Sequence, residues 1–167
     1  MTEINSPSFE PIYSQLINAV EKENNPIRYP LTAGELHDLF KRQAEFDKSE
    51  DEPKLLSDSV FEISPQGINI LSSYTISDLE GGRTNIVIKG HLINNENGYL
   101  SNVTPAEISG DEKAKQRTLV AFGVENNLPF KTYLKAMIED SLQNQVSVKE
   151  MSLQDKNLIL EIEKPKD

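Results

Sequence analysis

The stretch from Ser59 to Ile108 constrains the fold most, because apolar and polar residues alternate along it and turn residues interrupt the alternation at short intervals. Strand side chains alternate with period two, so each run places its apolar residues on one face. The first run aligns Ile68, Ile70, Tyr74 and Ile76, and the second aligns Ile86, Ile88 and Leu92. Ser72 and Gly90 are gaps in these stripes. The pattern predicts an antiparallel meander against which the rest of the chain packs. We expect its first turn at Ser64-Pro-Gln-Gly67, where proline suits the second position of the turn and glycine the fourth.

Three segments have the apolar spacing of amphipathic helices. The first carries a stripe of Phe9, Ile12, Tyr13, Leu16, Ile17 and Val20. The second opens at Leu31–Leu36, where Thr32 and Glu35 have the spacing of a capping box. The third follows Asn127-Leu-Pro and carries Phe130, Tyr133, Leu134, Met137, Ile138 and Leu142.

The remaining runs complete an α+β fold. Residues 101–108 and Thr118–Val124 are predicted as strands, which brings the curved meander to about five strands. After the third helix, the alternation from Val146 to Ile162 predicts a hairpin that turns at Asp155-Lys-Asn157. The expected order is therefore two helices, about five strands, one helix and a C-terminal β-hairpin.

The length of 167 residues suits one domain, which we expect over 1–167 with loose termini at 1–7 and 164–167. Residues 47–57 form a charged run that predicts a solvated loop. Its carboxylates lack the order of ligands in an EF-hand loop, so no metal site is predicted.

Composition excludes several classes of function. The chain has no cysteine, which removes disulfides, thiolate nucleophiles and Cys-ligated metals. The 27 acidic and 17 basic residues give a net charge of −10, which disfavours nucleic acid as a partner. We expect a cytoplasmic protein without a transmembrane segment, because no leader pattern and no apolar run of about 20 residues is visible. A homodimer is left open.

The sequence predicts no enzyme activity and no cofactor. The two histidines, His37 and His91, lie in different predicted elements, and neither has a second ligand or a nucleophile at a useful spacing. No Gly-x-Ser-x-Gly elbow and no glycine-rich phosphate loop occurs.

Two non-enzymatic functions remain. In the first, an apolar ligand, expected to be a lipid, occupies a groove between a helix and the curved sheet. Its candidate contacts are Phe9, Tyr13, Leu16, Val20, Phe130, Tyr133 and Met137. The structural alternative is that the same side chains simply fill a core. In the second function, an acidic adaptor or regulatory module without a small-molecule ligand docks on a basic protein partner through a strand edge or the first helix.

Four segments together resemble small bacterial members of the tubular lipid-binding (TULIP-like) superfamily. They are Leu31-Thr-Ala-Gly-Glu-Leu36, the strands Gly-Ile-Asn-Ile at 67–70 and Asn-Ile-Val-Ile-Lys-Gly at 85–90, and Asn127-Leu-Pro-Phe130 before a final strand pair. The resemblance covers roughly residues 30–163. It implies a long helix in a strongly curved sheet, with acyl chains bound between them and no catalysis. It supplies no functional residues, so the contacts above come from the apolar stripes alone.

Overall fold

The computed structural model describes residues 10–46, 54–77, 83–101, 105–121, 123–125 and 127–166, and over these residues the chain is an α+β protein. Its helices are α1 (Ile12–Glu21), α2 (Ala33–Phe46), α3 (Glu112–Ala121) and α4 (Phe130–Ser141). Its strands are β1 (Ile27–Leu31), β2 (Lys54–Ser64), β3 (Gly67–Ser77), β4 (Arg83–Leu92), β5 (Glu107–Gly110), β6 (Ser147–Gln154) and β7 (Asn157–Glu163).

The predicted meander forms one of two antiparallel sheets, with four strands in the order β2-β3-β4-β5. The turn at Ser64-Pro-Gln-Gly67 is confirmed, because Ser64 pairs with Gly67 at the closed end of β2 and β3. The strand predicted over 101–108 is shorter than expected and begins only at Glu107. Pro105 has no N–H to donate to the ladder. The N–H of the next residue, Ala106, donates to Leu128 O at 2.7 Å and not to β4.

The prediction of a strand over Thr118–Val124 is wrong, because Thr118–Ala121 lies in α3. Two signals outweigh the short apolar run. Asp111 Oδ2 accepts from the backbone N–H groups of Lys113 and Ala114 at 3.1 and 3.2 Å, which caps the helix. The next six residues are strong helix formers, so α3 is a helix in addition to the three that were predicted.

The second sheet has the order β1-β7-β6, and its hairpin of β6 and β7 confirms the predicted C-terminal hairpin. Asp155 takes a positive φ of 57° in the turn. The first strand was not predicted as part of a sheet: β1 pairs with β7 from Ile27↔Ile162 to Leu31↔Leu158. Its Pro30 is tolerated because β1 lies at the edge of the sheet.

The loop after β4 joins the two sheets along the outer edge of β6. The side-chain amide of Asn94 donates to Leu153 O at 3.2 Å and accepts from the Leu153 N–H at 3.0 Å. The Leu100 N–H also donates to Met151 O at 2.8 Å. These hydrogen bonds occupy backbone groups of β6 with which another strand could otherwise pair.

Helices α2 and α4 cover the inner face of the four-stranded sheet through an aromatic cluster. Phe40 packs edge-on against Phe61 and Tyr133, with ring centroids 4.9 and 5.9 Å away. Phe130 stacks with Tyr133 at 5.7 Å and lies directly over Gly90. Buried apolar side chains from α1 to β7 form one cluster. The core is therefore shared by both sheets.

The ends of the elements match the sequence in part. The capping box of α2 is confirmed, since the Thr32 N–H donates to Glu35 Oε1 at 2.9 Å and the Glu35 N–H donates to Thr32 Oγ1 at 3.1 Å. The charged loop predicted over 47–57 is wrong at residues 54–57, which belong to β2. Residues 47–53, like the expected loose terminus at 1–7, lie outside the described residues. Residues 164–166 follow β7 without helix or strand.

None of the described helices combines the length and the apolar character that crossing a membrane requires.

Replacing Gly90 by alanine should destabilise the protein strongly, because the new Cβ would overlap the Phe130 ring. Overpacking of this kind costs about 1–3 kcal/mol in the free energy of unfolding, which urea denaturation measures. Gly34→Ala is the matched control. Its Cβ would only contact Thr32 Oγ1 at 3.9 Å, so the change should stabilise α2 by up to about 1 kcal/mol. Equal effects of the two substitutions would contradict the packing of Phe130 on Gly90.

Candidate functional site

The outer face of the four-stranded sheet is open, and period-two alternation decides what it displays. Ile68, Ile70 and Tyr74 of β3 are buried on the inner face, so Asn69 and Leu71 point outward. A sheet face exposed to water usually displays polar or small side chains. Instead, Leu71 and Val60 are exposed there, at 39% and 49%. Together they form an apolar patch on this face.

A groove with a volume of about 570 Å³ crosses this outer face. Its lining residues are Val60, Glu62, Asn69, Ile70, Leu71, Lys89, Gly90, His91, Pro105 and Glu107. The volume lies in the range of sites that hold small molecules, roughly 300–1,000 Å³. The groove therefore has the size of a ligand site and a largely apolar surface.

The pairing register orders the groove into two rows of side chains. In the central row, Val60 is opposite Leu71, Leu71 opposite Lys89, and Lys89 opposite Glu107. This row crosses four strands, a span of about 14 Å. It starts with two apolar side chains and ends with two opposite charges.

The second row, which we call the polar row, lies two residues further along the strands and consists of Glu62, Asn69 and His91. His91 Nδ1 donates to Asn69 Oδ1 at 2.7 Å, because an amide oxygen can only accept. With the hydrogen on Nδ1, Nε2 of the neutral ring is an acceptor. The Cε1–Nε2 edge of the ring lies over Gly67, which has no side chain to push it away.

The residues predicted to bind a ligand lie elsewhere. Leu16, Val20, Phe130, Tyr133 and Met137 are all buried within the common core, at 2% exposure or less, and none of them lines the groove. Tyr13 is partly buried, and the guanidinium of Arg42 lies 3.4 Å above its ring centroid. Phe9 lies outside the described residues. Their role in binding stays a prediction.

The aromatic side chains of α4 meet polar groups of β3 inside the core. The Tyr133 hydroxyl lies 2.5 Å from the Tyr74 hydroxyl. Burial raises the pKa of Tyr133 to about 12, while Tyr74 and the nearby Ser72 hydroxyl oppose that rise. Ser72 and its cross-strand partner Ser59 are buried, and neither hydroxyl makes a well-formed hydrogen bond within the described residues.

Other candidate chemistry gains no support from the geometry. His37 Nδ1 is 3.9 Å from Asp38 Oδ1, but both side chains are largely solvated. Within the described ranges, no group of three or more His, Asp or Glu side chains is arranged to hold a metal ion. The acidic run from Asp47 to Glu52 lies outside those ranges.

Sequence reasoning missed the groove, although two pairs of neighbours carried its signal. In Val60-Phe61 and Ile70-Leu71, consecutive residues are apolar, so one of each pair must face outward from a strand. Such a break in alternation marks an apolar outer surface when the other face is already covered.

Comparison of the chain with models of known protein families, with curated proteins and with solved structures gave no match. The function must therefore be argued from the groove itself.

The stability of the protein should fall between pH 10 and pH 12 because of the buried tyrosines. Tyr133 ionises near its ordinary pKa of 10.0 when unfolded, but at about 12 when folded. Its contribution is therefore complete below pH 10 and is lost as the pH rises to the folded pKa, by an amount on the order of 2 kcal/mol. The measurement is urea denaturation at several pH values from 9 to 11.5.

The control for this pH dependence is the double variant Tyr74→Phe/Tyr133→Phe, which removes both buried phenols. Its stability should fall less steeply over the same range, since lysines and exposed tyrosines titrate alike in both proteins. Parallel curves for the two proteins would contradict the assignment.

Proposed function

We propose that this chain is a non-catalytic binding protein that holds an apolar small molecule in the groove on the open face of the four-stranded sheet. The observation that carries the proposal is a groove of about 570 Å³ whose centre is formed by the outward side chains of Val60 and Leu71. A ligand that covered them would gain about 25 cal/mol for each Å² of apolar surface removed from water, before ordering costs are subtracted.

The architecture supports a rigid, preformed site. The floor of the groove is a hydrogen-bonded ladder of β2, β3, β4 and β5, and the opposite face of that sheet is fixed by the aromatic cluster. The backbone of Gly90 forms part of the floor of the groove, and the Phe130 ring packs against it from the inner face of the sheet. A site of this kind loses little conformational entropy when the ligand binds.

The resemblance to the tubular lipid-binding superfamily implies the same class of ligand in a different place. A ligand between α1 or α4 and the sheet would need room among Leu16, Phe130 and Met137, whose side chains are already buried against other core residues. Displacing close-packed side chains costs contacts that the ligand must replace. The outer groove requires no such displacement, so we place the ligand there.

A second candidate function is docking of a protein partner on the same face. The observation that favours it is Ile93, which is 50% exposed just beyond the end of β4 and does not line the groove. A partner would cover Ile93 together with Leu71, whereas a small ligand would cover Leu71 alone. The two candidates therefore predict different effects of one substitution.

The test is a titration of the purified protein with the neutral fluorophore Nile red. We expect saturable binding of one dye per chain, and Leu71→Thr should weaken it about fivefold, which corresponds to the loss of about 1 kcal/mol of apolar burial. Threonine keeps the strand propensity of the position, and circular dichroism checks that the fold is unchanged.

Two matched variants complete the test. Val120→Thr changes an exposed apolar residue of α3, at 73% exposure, outside the open face and should leave dye affinity unchanged. Ile93→Thr should also leave it unchanged if the site is the groove. Equal loss in Leu71→Thr and Ile93→Thr would favour the wider protein interface, and wild-type affinity in Leu71→Thr would overturn the placement.

A further inference from the structure

The charges on the open face are unequal, which bears on the ligand. Asp58, Glu62 and Glu107 contribute carboxylates there, whereas Lys89 is the one ammonium among the described side chains of this face. Lys89 stands directly opposite Glu107, so these two charges largely cancel. The net charge of the whole chain, −10, has the same sign as this local excess. The groove therefore lies in a negative potential.

Glu62 is the carboxylate best placed to meet a ligand. It lines the groove, and the other members of its row are the neutral Asn69 amide and His91. Neither the His37–Asp38 nor the Lys131–Glu150 ion pair involves it. Its charge is therefore not compensated within its own row.

The polar row offers acceptors at both ends. The Glu62 carboxylate accepts hydrogen bonds, and so does Nε2 of His91, because Asn69 Oδ1 takes the hydrogen on Nδ1. The apolar side chains of Val60 and Leu71 lie in the next row, about 7 Å along the strands. An apolar body over the central row thus places its end group at the polar row.

We propose that the ligand of the groove is a cationic amphiphile, an apolar small molecule that ends in a protonated amine. The amine donates to Glu62, and the apolar part covers Val60 and Leu71. Charged hydrogen bonds of this type are shorter and stronger than neutral ones, and an ammonium supplies only donors. An anionic end group would instead meet Glu62 without compensation.

This inference rests on the proposed binding groove, and the experiment separates the two. Octylammonium, octan-1-ol and octanoate, which share one chain length, are each titrated as competitors of Nile red at low and at high salt. Octylammonium should bind at least tenfold more tightly than octan-1-ol at low salt, and octanoate should bind most weakly. High salt should reduce the advantage of octylammonium, because screening acts on the charge and not on the chain.

Glu62→Gln should remove most of the advantage of octylammonium and leave octan-1-ol unchanged. Glu21→Gln is the matched control, since it makes the same change at the exposed end of α1 and should alter neither ligand. Octan-1-ol or octanoate binding as tightly as octylammonium would overturn the inference while the groove stands. Failure of Nile red and all three amphiphiles to bind would overturn the proposed function itself.

Discussion

The packing of α4 on the four-stranded sheet depends on two small residues of the inner face. Gly90 leaves space that the Phe130 ring fills, and Ser72 leaves room one helical turn later for Tyr133. Phe130 and Tyr133 are three residues apart, so they project from the same side of α4. The helix therefore fits the sheet at one register. Tyr133 then meets Tyr74 and Phe40, which brings α2 into the same cluster.

This arrangement also gives the open face its character. Since the inner face takes all the helices that cover this sheet, the outer face depends on its own side chains for contact with water. Most positions there are polar, but Val60 and Leu71 are not. Exposed apolar residues on a sheet favour aggregation unless a ligand or a partner covers them. The proposed ligand would cover them, which core packing on the inner face does not.

The sequence predicted the elements whose signals are local. The capping box at Thr32 and Glu35, the turn at 64–67 and the hairpin of β6 and β7 depend on neighbouring residues, and all three are present. Thr118–Val124 was misread because a short apolar run suits a strand or a helix, and Asp111 was not recognised as a cap. The groove was missed because the alternation of β3 was assigned to the core, and Leu71 received no role of its own.

The pairing of β1 with β7 joins the two ends of the described chain, from Ile27↔Ile162 to Leu31↔Leu158. During synthesis, β1 leaves the ribosome long before β7, its neighbour in the sheet, exists. The helices and the four-stranded sheet can assemble before β7 is made, whereas closing so long a loop is slow and must await β7. Residues 27–31 would thus wait with unpaired backbone groups until β7 is synthesised, and the nascent chain would be exposed to misassociation during that interval.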